Sequence, residues 1–385
     1  MDGPELRPGQ NVNFNFIAIL MLGFDDLMRN AIELIEDSVP FNEDRVVSAL
    51  STRGYAVSEA RSVIRNFVFG KGLIPRAVIN FNRLGLVDVR VDITLSPSST
   101  GKAEQLLSLL TEDGYLISWG KSIGLSNYRT INAVPRAFLS DYRKVFDSAV
   151  SLGKLRDYQW FETETSFQYF SPDPSVFDFR TGNWKSGAGQ VNATRRLKEI
   201  PTTKGNFDAL DLRILLQLRK TAAQTPEALA LSVGLTGSDV DEVAQRVNRL
   251  HKEKFITSVY LDFFEAGFLA PSTAMIDLLC RSTDNSLSSL EESLLTNPYL
   301  SAASFGVKAL AALLTFPLSA FYRLQSALEK LVLSQGAVDS AFMLISWFES
   351  ETFKKPDSAS ILASKYDGSR WAFDVDRLLE HLKGL

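Results

Sequence analysis

Two stretches of this chain follow the same order of elements, and that repetition constrains the fold more than any other feature. The first runs from Phe24 to Ile74 and ends FGKGLI, and the second runs from Phe207 to Ile256 and ends HKEKFI. Each opens on Phe-Asp with an amphipathic segment, continues through a short helix and a longer one, and precedes a strand-rich segment. Such an internal repeat indicates a duplicated supersecondary unit. A small helical module joined to an α+β module favours recognition and assembly over bond-making chemistry.

Composition places the chain among ordinary soluble globular proteins. Its 385 residues predict about two to four domains. The 45% apolar and 22% charged residues are typical of chains that bury a substantial core. The formal net charge of −4 gives no global attraction to nucleic acid, so any such binding must rest on local basic patches.

Few residues are available for redox, metal or acid–base chemistry. The single cysteine, Cys280, excludes an intramolecular disulfide and fits a reducing compartment. The two histidines, His251 and His381, leave little material for a metal site or a histidine-based catalytic centre. The sequence also lacks a phosphate-binding loop and a G-x-S-x-G motif. We therefore predict no catalytic residues, no metal and no cofactor, and expect the protein not to be an enzyme.

An apolar run near the N-terminus is too short to cross a membrane. Phe14–Phe24 spans about 11 residues, whereas a transmembrane helix needs roughly 20. The run also lacks the basic stretch and cleavage pattern of a signal peptide. We interpret it as a buried strand or the start of a helix, and we expect a cytoplasmic protein without a membrane partner.

The hydrophobic period of the first half changes from helical to alternating near Leu86. From Val87 to Ile93, apolar residues alternate with Asp88, Arg90 and Asp92, which is the mark of a half-buried strand. The whole order is three helices and then β-α-β-β-α-β, the ferredoxin-like arrangement. The predicted helices are Asp25–Asp37, Glu43–Ser51, Ser58–Phe69, Lys102–Leu110 and Ala137–Leu152, and the later strands are Tyr115–Ile123, Tyr128–Val134 and Tyr158–Tyr169.

The second half repeats that order after a segment, residues 171–206, that is rich in proline and glycine and has little periodicity. We interpret this segment as a linker. The last predicted helix is Phe373–Leu385. The predicted helices of the second half are Leu210–Arg219, Thr225–Val233, Ser238–Lys254, Leu287–Leu295 and Leu318–Ser334, and its strands are Thr257–Phe264, Thr273–Leu279, Leu300–Phe305, Ala309–Phe316 and Ala337–Phe348.

One local pattern in the second copy matches a known family. It consists of Leu210-Asp211, Ile214-Leu215, Leu218, Leu229-Ala230, Val233–Thr236 (VGLT) and Arg246–Leu250 (RVNRL). With these residues, the segment Phe207–Val259 resembles the winged helix-turn-helix of the leucine-responsive regulator (Lrp/AsnC, or feast/famine) family. In that family, a β-α-β-β-α-β domain binds the effector and forms the dimer. The resemblance covers residues 207–349, and residues 24–169 follow it by order and spacing.

The resemblance implies an α+β fold with two winged helix-turn-helix modules, each followed by a ferredoxin-like βαββαβ domain, arranged as an intrachain pseudo-dimer. It implies a DNA-binding transcription regulator whose partner is double-stranded DNA. It is also compatible with a homo-oligomer of the whole chain. The expected segments are 14–80 for the first helix-turn-helix module, 81–170 for the first ferredoxin-like domain, 171–206 for the linker, 207–264 for the second winged helix-turn-helix, 265–349 for the second ferredoxin-like domain and 350–385 for a tail with a helix.

Basic and hydroxyl side chains on the third helix of the first copy are the first candidates for DNA contact. Ser58, Arg61, Ser62 and Arg65 share one helix face, and Lys71 follows them. Such side chains make phosphate and major-groove contacts. The alternatives are a solvated basic face or a surface for an acidic protein.

In the second copy, Arg246, Arg249 and Lys252 are the corresponding candidates, but their helix begins with carboxylates, which repel phosphate. Arg246 and Arg249 are spaced to form salt bridges with Asp241 and Glu242, and we favour that interpretation over direct DNA contact.

Two glycine-containing turns are candidates for binding a small amino-acid-like effector. Gly124 and Asn127 lie in the turn between the two central strands of the first α+β domain, and Gly306 lies in its counterpart. Glycine permits a close approach of ligand to backbone. A plain hairpin turn explains both equally well.

Two other functions stay open at this point. The order of a helical module and a ferredoxin-like domain in a two-unit assembly also resembles, at fold level, the siroheme decarboxylases, which use histidine and arginine around a tetrapyrrole. The third hypothesis is a protein-interaction scaffold that has lost DNA binding, which the acidic residues Asp239, Asp241 and Glu242 favour.

Overall fold

The computed structural model describes residues 14–38, 41–71, 73–121, 127–179, 181–185, 195, 197–236, 239–262, 273–282, 287–334, 340–347, 353–354 and 358–385. The helices are α1 Phe14–Asp37, α2 Glu43–Thr52, α3 Val57–Ser62, α4 Ala103–Glu112, α5 Leu139–Ser151, α6 Ala209–Lys220, α7 Pro226–Ser232, α8 Val240–Lys252, α9 Ser288–Leu295, α10 Phe321–Ser334, α11 Ser358–Ser364 and α12 Val375–Gly384.

The strands are short and pair antiparallel throughout. They are β1 Ile74–Ile79, β2 Leu86–Leu95, β3 Leu116–Lys121, β4 Asn127–Pro135, β5 Leu155–Glu162, β6 Gln168–Tyr169, β7 Phe177–Asp178, β8 Asn183–Trp184, β9 Ile256–Asp262, β10 Thr273–Arg281, β11 Leu300–Phe305, β12 Ala309–Pro317, β13 Ser340–Trp347 and β14 Phe353–Lys354.

Two five-stranded sheets form the body of the protein. Their orders are β14-β3-β4-β2-β5 and β13-β10-β12-β11-β6. Without the short strands β14 and β6, each sheet has its first strand in the middle, paired with its third and its fourth. This is the order that the predicted β-α-β-β-α-β arrangement requires.

The two helical modules lie beside each other because their following strands pair. β1 leaves the first module and β9 leaves the second, and they form a two-stranded antiparallel sheet that aligns Arg76 with Tyr260. The Arg76 side chain also donates to the carbonyl oxygens at the end of α6, at 3.2 Å from Arg219 and 2.7 Å from Lys220. The first strand is therefore tied to the opposite module by backbone and side chain.

The predicted final strand of the first half, Tyr158–Tyr169, is two strands in different sheets. β5 ends at Glu162, and the chain then crosses so that β6 pairs with β11 of the second sheet. Phe161 and Phe167 pack with Leu279 and Ala311 in a small apolar cluster between the sheets. Burial of this aromatic surface between two sheets removes it from water.

The C-terminal tail spans the first sheet domain and the second helical module. Leu378 and Leu382 of α12 are fully buried in the main core, and α12 packs on α4 and α5. Tyr366 stacks on Phe207 with ring centroids 4.8 Å apart. Trp371 Nε1 donates to the carbonyl of Leu84 at 2.9 Å. The tail helix therefore has a defined docking site that the sequence alone did not identify.

The segment predicted to be a linker also carries structure. β7 and β8 form a hairpin between residues 177 and 184, and Phe177 is fully buried. Trp184 Nε1 donates to Thr273 Oγ1 at 3.1 Å, which attaches the hairpin to the second sheet. Among the described residues, no helix combines the length and apolarity that crossing a membrane requires.

Candidate functional site

The third helix of the first module presents the predicted hydroxyl and basic residues to solvent. Ser58, Ser62 and Arg65 are exposed, and Arg61 is half-exposed. The α-helical turns of α3 pass into a π-helical segment, Val63–Val68, and a final turn that ends at Lys71. The segment is therefore continuous over the predicted range.

Both arginines of this helix pair with carboxylates of α2. Arg61 lies 2.9 Å from Asp44, and Arg65 Nε lies 2.7 Å from Glu43. The Arg65 side chain is 59% exposed. Exposed pairs of this kind contribute about 0–1 kcal/mol, so they neutralise the positive face without holding it rigidly. The net positive charge that this helix presents to solvent is consequently smaller than the number of its arginines suggests.

In the second module, the side chains of the two predicted arginines pair with carboxylates of the same module. Arg246 reaches Asp208 at 2.8 Å, Asp211 at 2.9 Å and Glu242 at 2.8 Å, and Arg249 reaches Asp211 at 2.5 Å. Partial burial favours a lower pKa for Arg246, but its hydrogen bonds to three carboxylates outweigh burial and raise the pKa. These two arginines therefore form ion pairs that link α6 and α8 within the module.

This ion cluster has a structural origin in the start of α6. The Asp208 side chain caps the helix by accepting a hydrogen bond from the Asp211 backbone N–H at 2.8 Å. In return, the Asp211 side chain accepts from the Asp208 backbone N–H at 3.1 Å. The capping box places both carboxylates beside α8. Together with Asn206, Phe207 and Gln245, the cluster lines a surface cavity of about 530 Å³. Lys252 lies in the last turn of α8 and is exposed.

A second polar cluster lies between the two sheets. Arg90 Nη1 lies 2.8 Å from Asp277 Oδ2, and Arg129 Nη1 lies 3.0 Å from the same carboxylate. Arg129 also pairs with Asp92 through both of its remaining nitrogen groups. The Arg90 guanidinium covers the Phe167 ring at 3.8 Å. The cluster joins β2 and β4 of one sheet to β10 of the other.

Asp88 belongs to the same inter-sheet cluster, and the protein raises its pKa. Burial raises its pKa to about 6, Arg90 opposes that shift and Asp277 adds to it. Its Oδ1 atom has no hydrogen-bond partner among the described residues. Perturbed ionisable groups concentrate at functional sites, although structural ion pairs perturb pKa values as well. The sequence signal that could have identified this cluster is Asp277, a carboxylate in the middle of the mostly apolar strand β10.

A third group lies where β5 meets the end of β10. The half-buried Arg281 guanidinium covers Phe161 at 4.8 Å, and Arg143 covers Trp160 at 5.9 Å. Burial lowers the pKa of Arg281, Glu162 opposes that shift and Arg143 adds to it. The backbone of Arg281 lies in the β10 ladder, but its side chain makes no ion pair or hydrogen bond with the described residues. It is therefore a partly desolvated cation beside aromatic rings, which the sequence analysis missed.

The predicted effector turns differ in what the structure places there. Gly124 falls outside the described residues. Asn127 begins β4, and its buried Oδ1 accepts no hydrogen bond from the described part of the chain. Gly306 lies in the turn between β11 and β12, where Val307 N and Lys308 N donate to the carboxylate of Glu164 at 2.8 Å and 3.0 Å. A side chain of the protein itself occupies this turn.

Neither histidine lies between the sheets. His251 Nδ1 is 3.3 Å from the Ile256 carbonyl near the end of α8, and His381 on the tail helix pairs with Asp113 at 2.5 Å. The described ranges contain no group of three or more His, Cys, Asp or Glu side chains suited to a metal ion.

Comparison with known proteins finds similar structures but no similar sequences. No family model and no curated protein matches the chain. The solved structure of the siroheme decarboxylase NirDL is similar over 93% of this chain and 99% of its own length, with a TM-score of 0.50 and 11% sequence identity. Partial similarity, over 37% of this chain, extends to LrpC of B. subtilis (94% of that chain, TM-score 0.27, 15% identity) and AsnC of E. coli (92%, TM-score 0.27, 18% identity).

The full-length similarity overturns one prediction. The absence of catalytic motifs led to the expectation that the protein is not an enzyme, but a decarboxylase has this architecture over nearly the whole chain. The expectation was wrong because motif searches detect local patterns, whereas a site built from residues of two facing domains has no local signature.

Proposed function

We propose that the chain is a tetrapyrrole-binding enzyme of the siroheme decarboxylase type. The observation that carries this proposal is the similarity to NirDL, which extends over 93% of this chain and is therefore not confined to one of its two units. The fold by itself does not determine function, so the proposal also needs residues that fit such a substrate.

The residues at the junction of β5 and β10 fit the chemistry of that substrate. A siroheme-type tetrapyrrole is a flat aromatic ring with several carboxylate side chains. Arg281 offers a guanidinium without an ion-pair partner among the described residues, and it lies over Phe161. Arg143 lies near enough to affect its pKa. Arginine binds carboxylates through paired donors and stacks on aromatic planes.

In this proposal, Arg281 receives a substrate carboxylate and orients the ring, and Arg143 contributes positive potential. Arg90 and Arg129 do not take that role because their charges are already matched by aspartates between the sheets. Histidine acid–base chemistry is not assigned, since His251 lies on α8 and His381 on α12, and neither lies between the sheets. The proposal therefore depends on arginine recognition of carboxylates.

The same proposal includes a tandem duplication in which the two units fold as a pseudo-dimer. Its support is the equal strand order of the two sheets, the pairing of β1 with β9 and the ion pairs that cross between the sheets. Fusing the units in one chain fixes a one-to-one pair and raises the effective concentration of each for the other. It also permits the two halves to specialise.

A visible-absorbance titration with siroheme or an iron-uroporphyrin tests the proposal. The expected result is a saturable spectral change, and Arg281→Ala should weaken binding about 10- to 150-fold, since a charged hydrogen bond contributes about 1.5–3 kcal/mol. Arg136→Ala, which removes an exposed arginine from the first sheet domain, is the matched control. Binding without loss in Arg281→Ala would reject this site, and no spectral change at all would reject the function.

A second function, DNA binding through the first module, is favoured by one observation. Ser58, Ser62 and Arg65 form an exposed row on the third helix, and the exposed pairs of its arginines are weak enough to exchange for phosphate. The second module is less suited to DNA, because the exposed face of α8 carries Asp241 and Glu242. In this alternative the two modules are not equivalent readers.

A further inference from the structure

The segment that crosses from the first sheet to the second is held by a carboxylate in a backbone turn. It leaves β5 at Glu162, passes through Glu164 and Thr165, and becomes β6 of the other sheet. Glu164 Oε2 accepts from Val307 N at 2.8 Å, and Oε1 accepts from Lys308 N at 3.0 Å. Two successive N–H groups that converge on one carboxylate form a small anion-binding concavity.

The turn has space for a carboxylate because residue 306 is a glycine. A Cβ atom at Gly306 would lie 2.3 Å from Glu164 Oε2 and 2.6 Å from two carbons of the same side chain. Only glycine therefore allows the carboxylate to reach the two N–H groups. The turn itself is closed by Gly306 N, which donates to the Ala309 carbonyl at 2.9 Å.

Neighbouring hydroxyl groups fix the crossing segment in the same place. Ser304 Oγ donates to the Thr165 carbonyl at 2.6 Å, and Thr165 Oγ1 donates to the Phe305 carbonyl at 3.2 Å. Ser304 is buried, whereas Glu164 is exposed to solvent. The hydroxyl bonds hold the backbone, and the carboxylate closes the outer end.

We infer that the β11–β12 turn is a carboxylate-binding site whose occupant is the protein's own Glu164. Glu164 acts as a tethered ligand that locks the first sheet domain onto the second. The turn is consequently closed to other anions while Glu164 is in place. When the Glu164 carboxyl is removed, the same N–H groups will donate to a small free carboxylate such as acetate.

Hydrogen–deuterium exchange of the full chain tests this inference, with peptides that cover Ser304–Ala309. Glu164→Ala should speed exchange at the amides of Val307 and Lys308, and acetate should restore protection in this variant but not change the wild type. Acetamide, the neutral analogue, should restore less, because only a charged carboxylate gains the stronger hydrogen bonds. Glu199→Ala, which removes another exposed carboxylate, should exchange like the wild type.

Thermal unfolding gives a second measurement that does not depend on exchange. Glu164→Ala should lower Tm by about 2 °C, and acetate should recover part of that loss. Glu164→Gln keeps the side-chain size but loses the charge, so its Tm should fall between those of the wild type and Glu164→Ala. It should not gain from acetate, because its own amide oxygen still occupies the turn. Wild-type exchange in Glu164→Ala, or equal protection by acetate and acetamide, would overturn the inference. Neither result would bear on tetrapyrrole binding.

Discussion

Arg90 and Asp277 belong to different sheets, yet the Arg90 guanidinium donates to the Asp277 carboxylate at 2.8 Å. Their side chains are only 4% and 12% exposed. Arg129 binds the same carboxylate at 3.0 Å, so one aspartate of the second sheet holds two arginines of the first. A buried ion cluster of this kind fixes the register of two surfaces, because any shift leaves a desolvated charge without its partner.

Asp277→Asn should therefore be strongly destabilising. Removing one partner of a buried ion pair typically costs about 3–5 kcal/mol, and here Arg90 would lose its nearest counter-charge while Arg129 would keep only Asp92. Urea unfolding followed by circular dichroism measures the change. Asp44→Asn removes the exposed partner of Arg61 and should cost less than about 1 kcal/mol. Equal losses in the two variants would contradict the assigned importance of the inter-sheet cluster.

Asp88 should make stability depend on pH. Burial raises its folded pKa from 3.8 to about 6, against the effect of Arg90 and helped by Asp277, with Arg219 also opposing. The folded protein thus holds a proton that the unfolded chain has released between about pH 4 and 6. This contribution to stability is complete below pH 4, falls as pH rises to 6, and is constant above that.

The size of the effect follows from the pKa difference. A shift of this size corresponds to up to about 3 kcal/mol. Asp88→Asn keeps a neutral side chain at every pH, so its unfolding free energy should exceed that of the wild type at pH 7 and match it near pH 4. Urea unfolding at pH 4, 5, 6 and 7 tests this. A parallel pH profile in the variant and the wild type would show that another group titrates.

If the first module binds DNA, its acidic neighbours should limit the affinity. Arg61→Ala and Arg65→Ala should each weaken binding and reduce the slope of log K against log salt by about one. Glu43→Gln and Asp44→Asn should strengthen binding, because each releases an arginine for phosphate. Fluorescence anisotropy with genomic fragments at two salt concentrations measures both effects. An unchanged salt slope in the arginine variants would exclude this helix as the DNA contact.

The sequence predicted local order well and contacts between distant segments poorly. The alternation of Asp88 and Arg90 with valines predicted a strand with one solvated face, yet both residues are buried because the second sheet covers that face. The spacing of Arg246 and Glu242 predicted their ion pair, which is present at 2.8 Å. It gave no hint of Asp208 and Asp211, because periodicity reports what a residue's own helix or strand requires.

The tail helix α12 supplies the last prediction, because its docking joins parts of the chain that are distant in sequence. Leu382 is fully buried against the first sheet domain. The ring centroid of Phe373, just before the helix, lies 5.7 Å from that of Tyr142 in α5. Leu382→Ala should lower the free energy of unfolding by about 2–5 kcal/mol, since it leaves a cavity in a packed core. Glu380→Ala, on the exposed face of the same helix, should change it by less than about 0.5 kcal/mol. Urea unfolding measures both variants, and a loss in Leu382→Ala no larger than in Glu380→Ala would mean that the tail is not part of the core in solution.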